Sequence, residues 1–192
     1  TQANVYFRDD TIAAPATPGG RGAIAVIRLS GPDTFPVCQR VFRPRSGKSR
    51  TPPRQMIYGT FLDPQTGETV DDVLCVLFPA PRSYTGEDVA EFHCHGSEAV
   101  LRKAMEILYR SGARPAEPGE FTFRAVRNGK MDLPQAEAVA SLIDSRSQMA
   151  RALSLRMLEG AFSRDLADVK EELISVLVEV ETQLRSEEHT SE

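Results

Sequence analysis

From Ala23 to Leu29 the chain alternates: Ile24, Val26 and Arg28 fall on one side of an extended strand and Ala25, Ile27 and Leu29 on the other. Arg28 is the odd member, a charge on an otherwise apolar face just before Ser30-Gly31-Pro32-Asp33. Val89 to His95 alternates as strictly, with Glu91, His93 and His95 on one face and Phe92 and Cys94 on the other. Met56 to Leu62 and Val70 to Phe78 read as two further strands, joined as a hairpin by Asp63-Pro64-Gln65-Thr66-Gly67. Within the second, Val73 to Phe78 is continuously apolar, as in a strand covered on both faces. Val5-Tyr6-Phe7 makes a short β-prone start. Between the strands, Asp33 to Phe42 predicts a short helix with Phe35, Cys38, Val41 and Phe42 inward and Pro36 in its first turn. A second helix begins at Ser97, carries Val100, Leu101, Ala104, Ile107 and Leu108 as its stripe, and ends at Gly112.

Beyond residue 130 the period changes to three and four. Asp132 caps a new helix, Pro134 lies in its first turn, and Gln135 completes a capping-box spacing. Ala136, Val139, Ala140, Leu142 and Ile143 form its stripe. A longer helix is expected from Gln148 to Leu184, with Leu153, Met157, Phe162, Leu166, Val169, Leu173, Leu177, Val180 and Leu184 in register. It would reach about 55 Å, more than a compact domain of this size needs. Such a helix wants partners that this chain does not supply, so the helical domain reads as truncated. The expectation is an α+β domain with a mixed sheet over 1–130, the first helices of an α domain over 131–184, and a non-native tail over 185–192. The tail, Arg185 to Glu192, drops the apolar period and reads like a translated sequencing adapter.

Composition narrows the function classes. At 41% apolar and 26% charged residues, the 192-residue chain suits a soluble protein of one or two domains, and its apolar runs are too short to cross a bilayer. No secretion signal opens it, and three cysteines, Cys38, Cys75 and Cys94, sit in apolar settings, which points to reduced thiols in the cytoplasm. A net charge of −4 excludes a general nucleic-acid sponge. Six basic residues without an acid between Arg40 and Arg54 make a solvated loop first and a phosphate-contact patch second, without aromatics for base stacking.

Candidate chemistry is sparse. Pro18-Gly19-Gly20-Arg21-Gly22 is glycine-rich but is not a phosphate loop. His93-Cys94-His95 invites a metal, yet only the histidines share a face, so no metal ligand is assigned. Glu91 can accept hydrogen bonds from a ligand's N–H groups or pair with a neighbouring arginine. Arg28 is either a rim arginine paired with a carboxylate or a ligand contact. Lys130 follows the Asn128-Gly129 turn, where it is solvated or aimed at an anion.

The stretch Gly119 to Ala138 changes this picture. It resembles the G-E-F-(S/T)-x-R-A-F-x-N-x-K-(L/M)-D-L-x-Q-A-E-A segment of the tRNA-modifying GTPases called MnmE or TrmE. Four more stretches resemble that family in order: Asp10 to Ala13 with Ala16-Thr17-Pro18 and Gly20-Arg21-Gly22, Ile27 to Gly31, Tyr84 to Glu91, and Leu158 to Ser163. The resemblance runs essentially from Asp10 to Leu184. It implies a folate-binding first domain akin to aminomethyltransferases, holding two chains as a homodimer. The family's folate contacts fall on Arg28, Glu91 and Lys130, and the ligand implied is 5-formyl- or 5,10-methylene-tetrahydrofolate.

The resemblance further implies modification of C5 of the wobble uridine of certain tRNAs, together with a flavin (FAD)-dependent partner, MnmG or GidA. It also implies GTP hydrolysis supported by K+ and Mg2+. This chain departs from the family in having no Walker-type loop, Asp-x-x-Gly, Asn-Lys-x-Asp or C-terminal Cys-x-Gly-Lys. The fragment is therefore expected neither to bind nor to hydrolyse GTP, and it carries no assigned catalytic residue. Three rival readings remain at this level. One is a stand-alone folate enzyme using Glu91, His93 or His95 as acid or base; another is a dimerisation module without folate affinity; the third is a soluble α+β domain with an attached helical pair and no known ligand.

Overall fold

A computed structural model describes residues 8–20, 22–47 and 51–188. The expected strand at Val5 to Phe7 lies outside them, as do Arg21, Lys48 to Arg50 and the last four residues of the tail. The fold divides into two units, residues 1–130 and 131–192.

The first unit is α+β. Its strands are β1 (Ile12–Pro15), β2 (Ile24–Ser30), β3 (Phe42–Pro44), β4 (Ile57–Leu62), β5 (Thr69–Phe78), β6 (Val89–His95) and β7 (Arg114–Pro115). They form one sheet in the order β3-β4-β5-β6-β2-β1-β7. Neighbours run antiparallel except β1 and β7, which are parallel, so the sheet is mixed. Helices α1 (Thr34–Val41) and α2 (Glu98–Arg110) cover one face, where Ala25, Ile27 and Leu29 of β2 meet Phe92 and Cys94 of β6, Cys38 of α1 and Leu108 of α2. Burying such side chains contributes about 1.5–3 kcal/mol each.

The opposite face is only partly covered. Val76 and Val89 are buried there, while Leu74 is 37% and Ile24 66% exposed. This corrects the expectation of a strand covered on both faces at Val73 to Phe78: both helices pack on the side of Val73 and Cys75. In α1, Val37 rather than Phe35 turns fully inward. Ser97 occupies the N-cap position of α2, but its hydroxyl makes no capping bond.

Two elements of this unit were not expected. β3 lies inside the stretch read as a basic loop and pairs with β4, where Gly59 leaves room for the Arg43 carbonyl and the Phe42 ring. A third helix, α3 (Glu120–Arg127), precedes the Asn128-Gly129 turn.

In the second unit, α4 (Leu133–Asp144) begins with the expected capping box: Asp132 accepts from Gln135 N at 2.9 Å, and Gln135 Oε1 accepts from Asp132 N at 2.9 Å. Its most buried residue is Ala138, and Ile143 faces water, so the stripe is rotated from the one expected. The single long helix is in fact two, α5 (Gln148–Leu158) and α6 (Ala161–Glu188). Gly160 separates them with φ at +78°, a left-handed conformation that glycine adopts without the penalty a Cβ imposes. α6 continues past Leu184 through Arg185 to Glu188. No helix among the described residues is long and apolar enough to cross a membrane.

Candidate functional site

Arg28 and Glu91 are directly opposite one another in the antiparallel β2–β6 register. Side chains in that relation lie within reach, and opposite charges there attract. Arg28 Nε donates to Glu91 Oε1 at 2.9 Å, and Arg28 Nη2 lies 2.8 Å from the same oxygen. Glu91 Oε2 is left facing His93 Nε2 at 3.7 Å, too far for a hydrogen bond. Among the described residues Arg28 Nη1 has no hydrogen-bond acceptor. The pair is half-buried on the less covered face of the sheet, with side-chain exposures of 27% and 17%. It is reachable by a ligand and partly shielded from water.

Two aromatic rings wall the guanidinium. Tyr84 has its centroid 5.2 Å from Arg28 Cζ, and Phe121 has its centroid at 5.7 Å. Both separations suit cation–π attraction. Tyr84 comes from the loop before β6 and Phe121 from α3, and the two segments touch through Tyr84 Oη and Thr122 Oγ1 at 2.9 Å. Neither ring was singled out from the sequence. Tyr84 and Phe121 lie inside the motifs, but only the folded chain brings them to Arg28.

Behind these walls lies a network of charges. Arg124 and Glu120, one turn apart on α3, are fully buried. Arg124 Nε and Nη2 donate to Glu120 Oε1, Nη2 to Asp10 Oδ1 at 2.8 Å, and Nη1 to the Asp10 carbonyl at 2.6 Å and Glu87 Oε2 at 3.1 Å. Arg114 pairs with Asp10 and Glu120, and Arg127 with Glu87 and Asp9. Burial opposes ionisation of Glu120. Hydrogen bonds from Arg114, the Glu117 amide and Arg124 outweigh it and hold the carboxyl below its ordinary value. Asp10 is lowered in the same way, against burial, by Arg114 and Arg124.

Lys130 stands apart from the Arg28–Glu91 pair. Its Nζ donates to the Pro81 carbonyl at 3.0 Å, and its stem lies against Gly86, where a Cβ would come within 3.2 Å of Cγ. Lys130 thus meets the Pro81-to-Glu87 loop that carries Tyr84, and no direct bond joins it to Arg28 or Glu91. His95 pairs instead with Asp71, Nδ1 to Oδ1 at 2.7 Å, and Cys94 turns into the core, where Sγ donates to the Ala25 carbonyl. A groove of about 600 Å³ lined by Phe35, Phe42, Leu77 and Pro79 takes in none of Arg28, Glu91 or Lys130 and offers no carboxylate.

Residues 11–130 match the family model described as GTP-binding protein TrmE N-terminus, and residues 133–192 match the one described as MnmE helical domain. Curated relatives agree. The tRNA modification GTPase MnmE of Thermus thermophilus is 49% identical over 175 residues, 91% of this chain and 40% of the relative. That of Thermotoga maritima is 49% identical over 176 residues, 91% of this chain and 38% of the relative. The protein of the same name from Parabacteroides distasonis is 46% identical over 182 residues, 93% of this chain and 39% of the relative. The chain spans about two-fifths of the length of these relatives. On these matches, which run through both of its units, the chain belongs to the MnmE/TrmE family of tRNA modification GTPases, whose N-terminal and helical-domain models it matches.

Proposed function

We propose that this chain holds the folate of a tRNA modification GTPase, with Arg28 and Glu91 as the core of the site and Lys130 at its edge. The observation that carries the reading is the half-buried Arg28–Glu91 pair, whose guanidinium lies over two aromatic rings. A pterin ring presents adjacent N–H donors and a flat apolar surface, and a folate tail presents carboxylates. Glu91 spends one oxygen on Arg28 and keeps the other for a ligand N–H, since a carboxylate accepts at about four lone-pair positions. Tyr84 and Phe121 offer faces for a ring to stack on. Arg28 Nη1 and the remaining Lys130 donors suit carboxylate or carbonyl oxygens. Bound there, the folate supplies a one-carbon unit; the protein's part is to hold the ring, orient it and exclude water.

The rest of the activity belongs to the longer protein. In this reading the first unit has an aminomethyltransferase-like fold and joins two chains as a homodimer. An FAD-dependent MnmG (GidA) partner joins the complex, and the substrate is the C5 position of a tRNA wobble uridine, in the cytoplasm. GTP, K+ and Mg2+ would act through GTPase motifs, which are absent from these 192 residues. Three free, buried cysteines are consistent with a reducing compartment.

Replacing Glu91 tests the site. Glu91→Ala is expected to weaken 5-formyltetrahydrofolate binding by roughly 2–3 kcal/mol, the range for hydrogen bonds to a charged group. Titration calorimetry giving the same affinity for the variant and the parent chain would remove Glu91 from the site.

A further inference from the structure

We infer that Arg124, which a bound ligand at Arg28 would not touch, is a positioning residue that sets the gap between the Tyr84 and Phe121 walls; the inference rests on the folate reading of that gap. The two walls come from stretches far apart in sequence, and Tyr84 sits in a loop. That loop meets α3 at the Tyr84 Oη–Thr122 Oγ1 hydrogen bond, and a second, buried tie runs from the loop to the helix through Glu87 and Arg124. Arg124 spends all five of its N–H donors on three separate stretches of chain: Asp10 ahead of β1, Glu87 beside Tyr84, and Glu120 next to Phe121. Glu87 is the loop-side end of this strut. Its Oε2 accepts from Arg124 and from Ser30 Oγ at 2.8 Å, its Oε1 from Arg127 at 3.1 Å, and its carbonyl from Ser83 Oγ. Ser30 and Arg28 belong to the same strand, so the strut also references the loop to the strand that carries the guanidinium.

The energetics favour a positional role. Removing an arginine and a glutamate from water is costly, and their attraction roughly returns that cost, so buried pairs of this kind add little net stability over well-packed apolar residues. What they do supply is direction, because a planar fork with every donor satisfied tolerates few arrangements. Lysine keeps the charge at this position but not the fork. Arg124→Lys is therefore the discriminating change, and Glu87→Gln, which keeps the shape and removes the loop-side charge, tests the other end.

Two readouts on the 192-residue chain separate the positioning role from the folate reading and from simple loss of stability. The first needs no ligand. Arg28 Cζ lies 5.2 Å from the Tyr84 centroid and 5.7 Å from the Phe121 centroid, so ring currents from both displace the neighbouring Nε–H proton resonance in 15N-edited NMR spectra. Glu87→Gln, and Arg124→Lys if it folds, are expected to move that resonance towards the random-coil position while the remaining amide spectrum stays native. The second is titration with 5-formyltetrahydrofolate, where both variants are expected to bind about tenfold more weakly, the scale on which loosened preorganisation costs affinity. An unmoved Arg28 resonance in a folded Glu87→Gln chain overturns the positioning role, as does an unchanged folate affinity in a parent chain that binds. A parent chain that fails to bind folate, while the resonance still moves in the variants, overturns the folate reading and with it the ligand assigned to the gap.

Discussion

Glu91 and Asp71 are two carboxylates on neighbouring strands with different tasks. Glu91 is tied to Arg28 through one oxygen and left open at the other. Asp71 is closed: it accepts from both the amide and the ring of His95. The hydrogen bond from Asp71, aided by its charge, raises the pKa of His95 above its ordinary value. The folded-state pKa is the higher one, so the stabilisation from this pair is complete below about pH 6.5 and fades as pH rises through the folded-state value. NMR titration is expected to place the His95 midpoint above 6.5 in the parent chain and to return it to about 6.5 in Asp71→Asn. An identical midpoint in both would show that the contact does not govern the histidine. The thiols behave differently again. Burial pushes Cys94 up to about 11, and a hydrogen bond with Cys75, followed by burial, raises Cys38 well above the usual thiol range. Neither is a ready nucleophile.

At the scale of elements, Gly160 is the joint between α5 and α6. Adding a Cβ meets nothing closer than Arg164 Nη1 at 3.5 Å, so the cost of Gly160→Ala is conformational rather than steric. It is expected to destabilise the helical unit by about 1–2 kcal/mol, read from the urea midpoint of the 222 nm circular dichroism signal. A midpoint that rises would mean that α5 and α6 prefer to run on as one helix. That break was hidden in the sequence because the apolar steps of three and four continue across it. The strands were legible for the opposite reason: alternation assigned Ala25, Ile27 and Leu29 to one face and Arg28 to the other without knowledge of the sheet. Glu91 could be placed on a face in the same way, but not opposite Arg28, since register is a property of two strands together. β3 and α3 escaped detection because β3, three residues long, and α3, eight residues long, owe their order to partners distant in sequence. The aromatic walls and the Arg124 strut are likewise non-local, so the motifs contained their residues without disclosing their use.

For the whole molecule, a single half-open sheet face carries the proposed chemistry, and the described part of the second unit is built from helices alone. α6 leaves Leu166, Val169, Leu173 and Leu177 each more than half exposed, and the relatives that match this chain are far longer than it is. In the proposed reading the ligand function of the first unit resides in residues 1–130 and separates from GTP chemistry. The direct test is to titrate the same preparation of the 192-residue chain with 5-formyltetrahydrofolate and, separately, with GTP and Mg2+ in K+ buffer. The account predicts saturable binding of the folate, abolished or strongly weakened in Glu91→Ala, and no heat from GTP. A chain that binds GTP, or one that folds and ignores the folate, would contradict it.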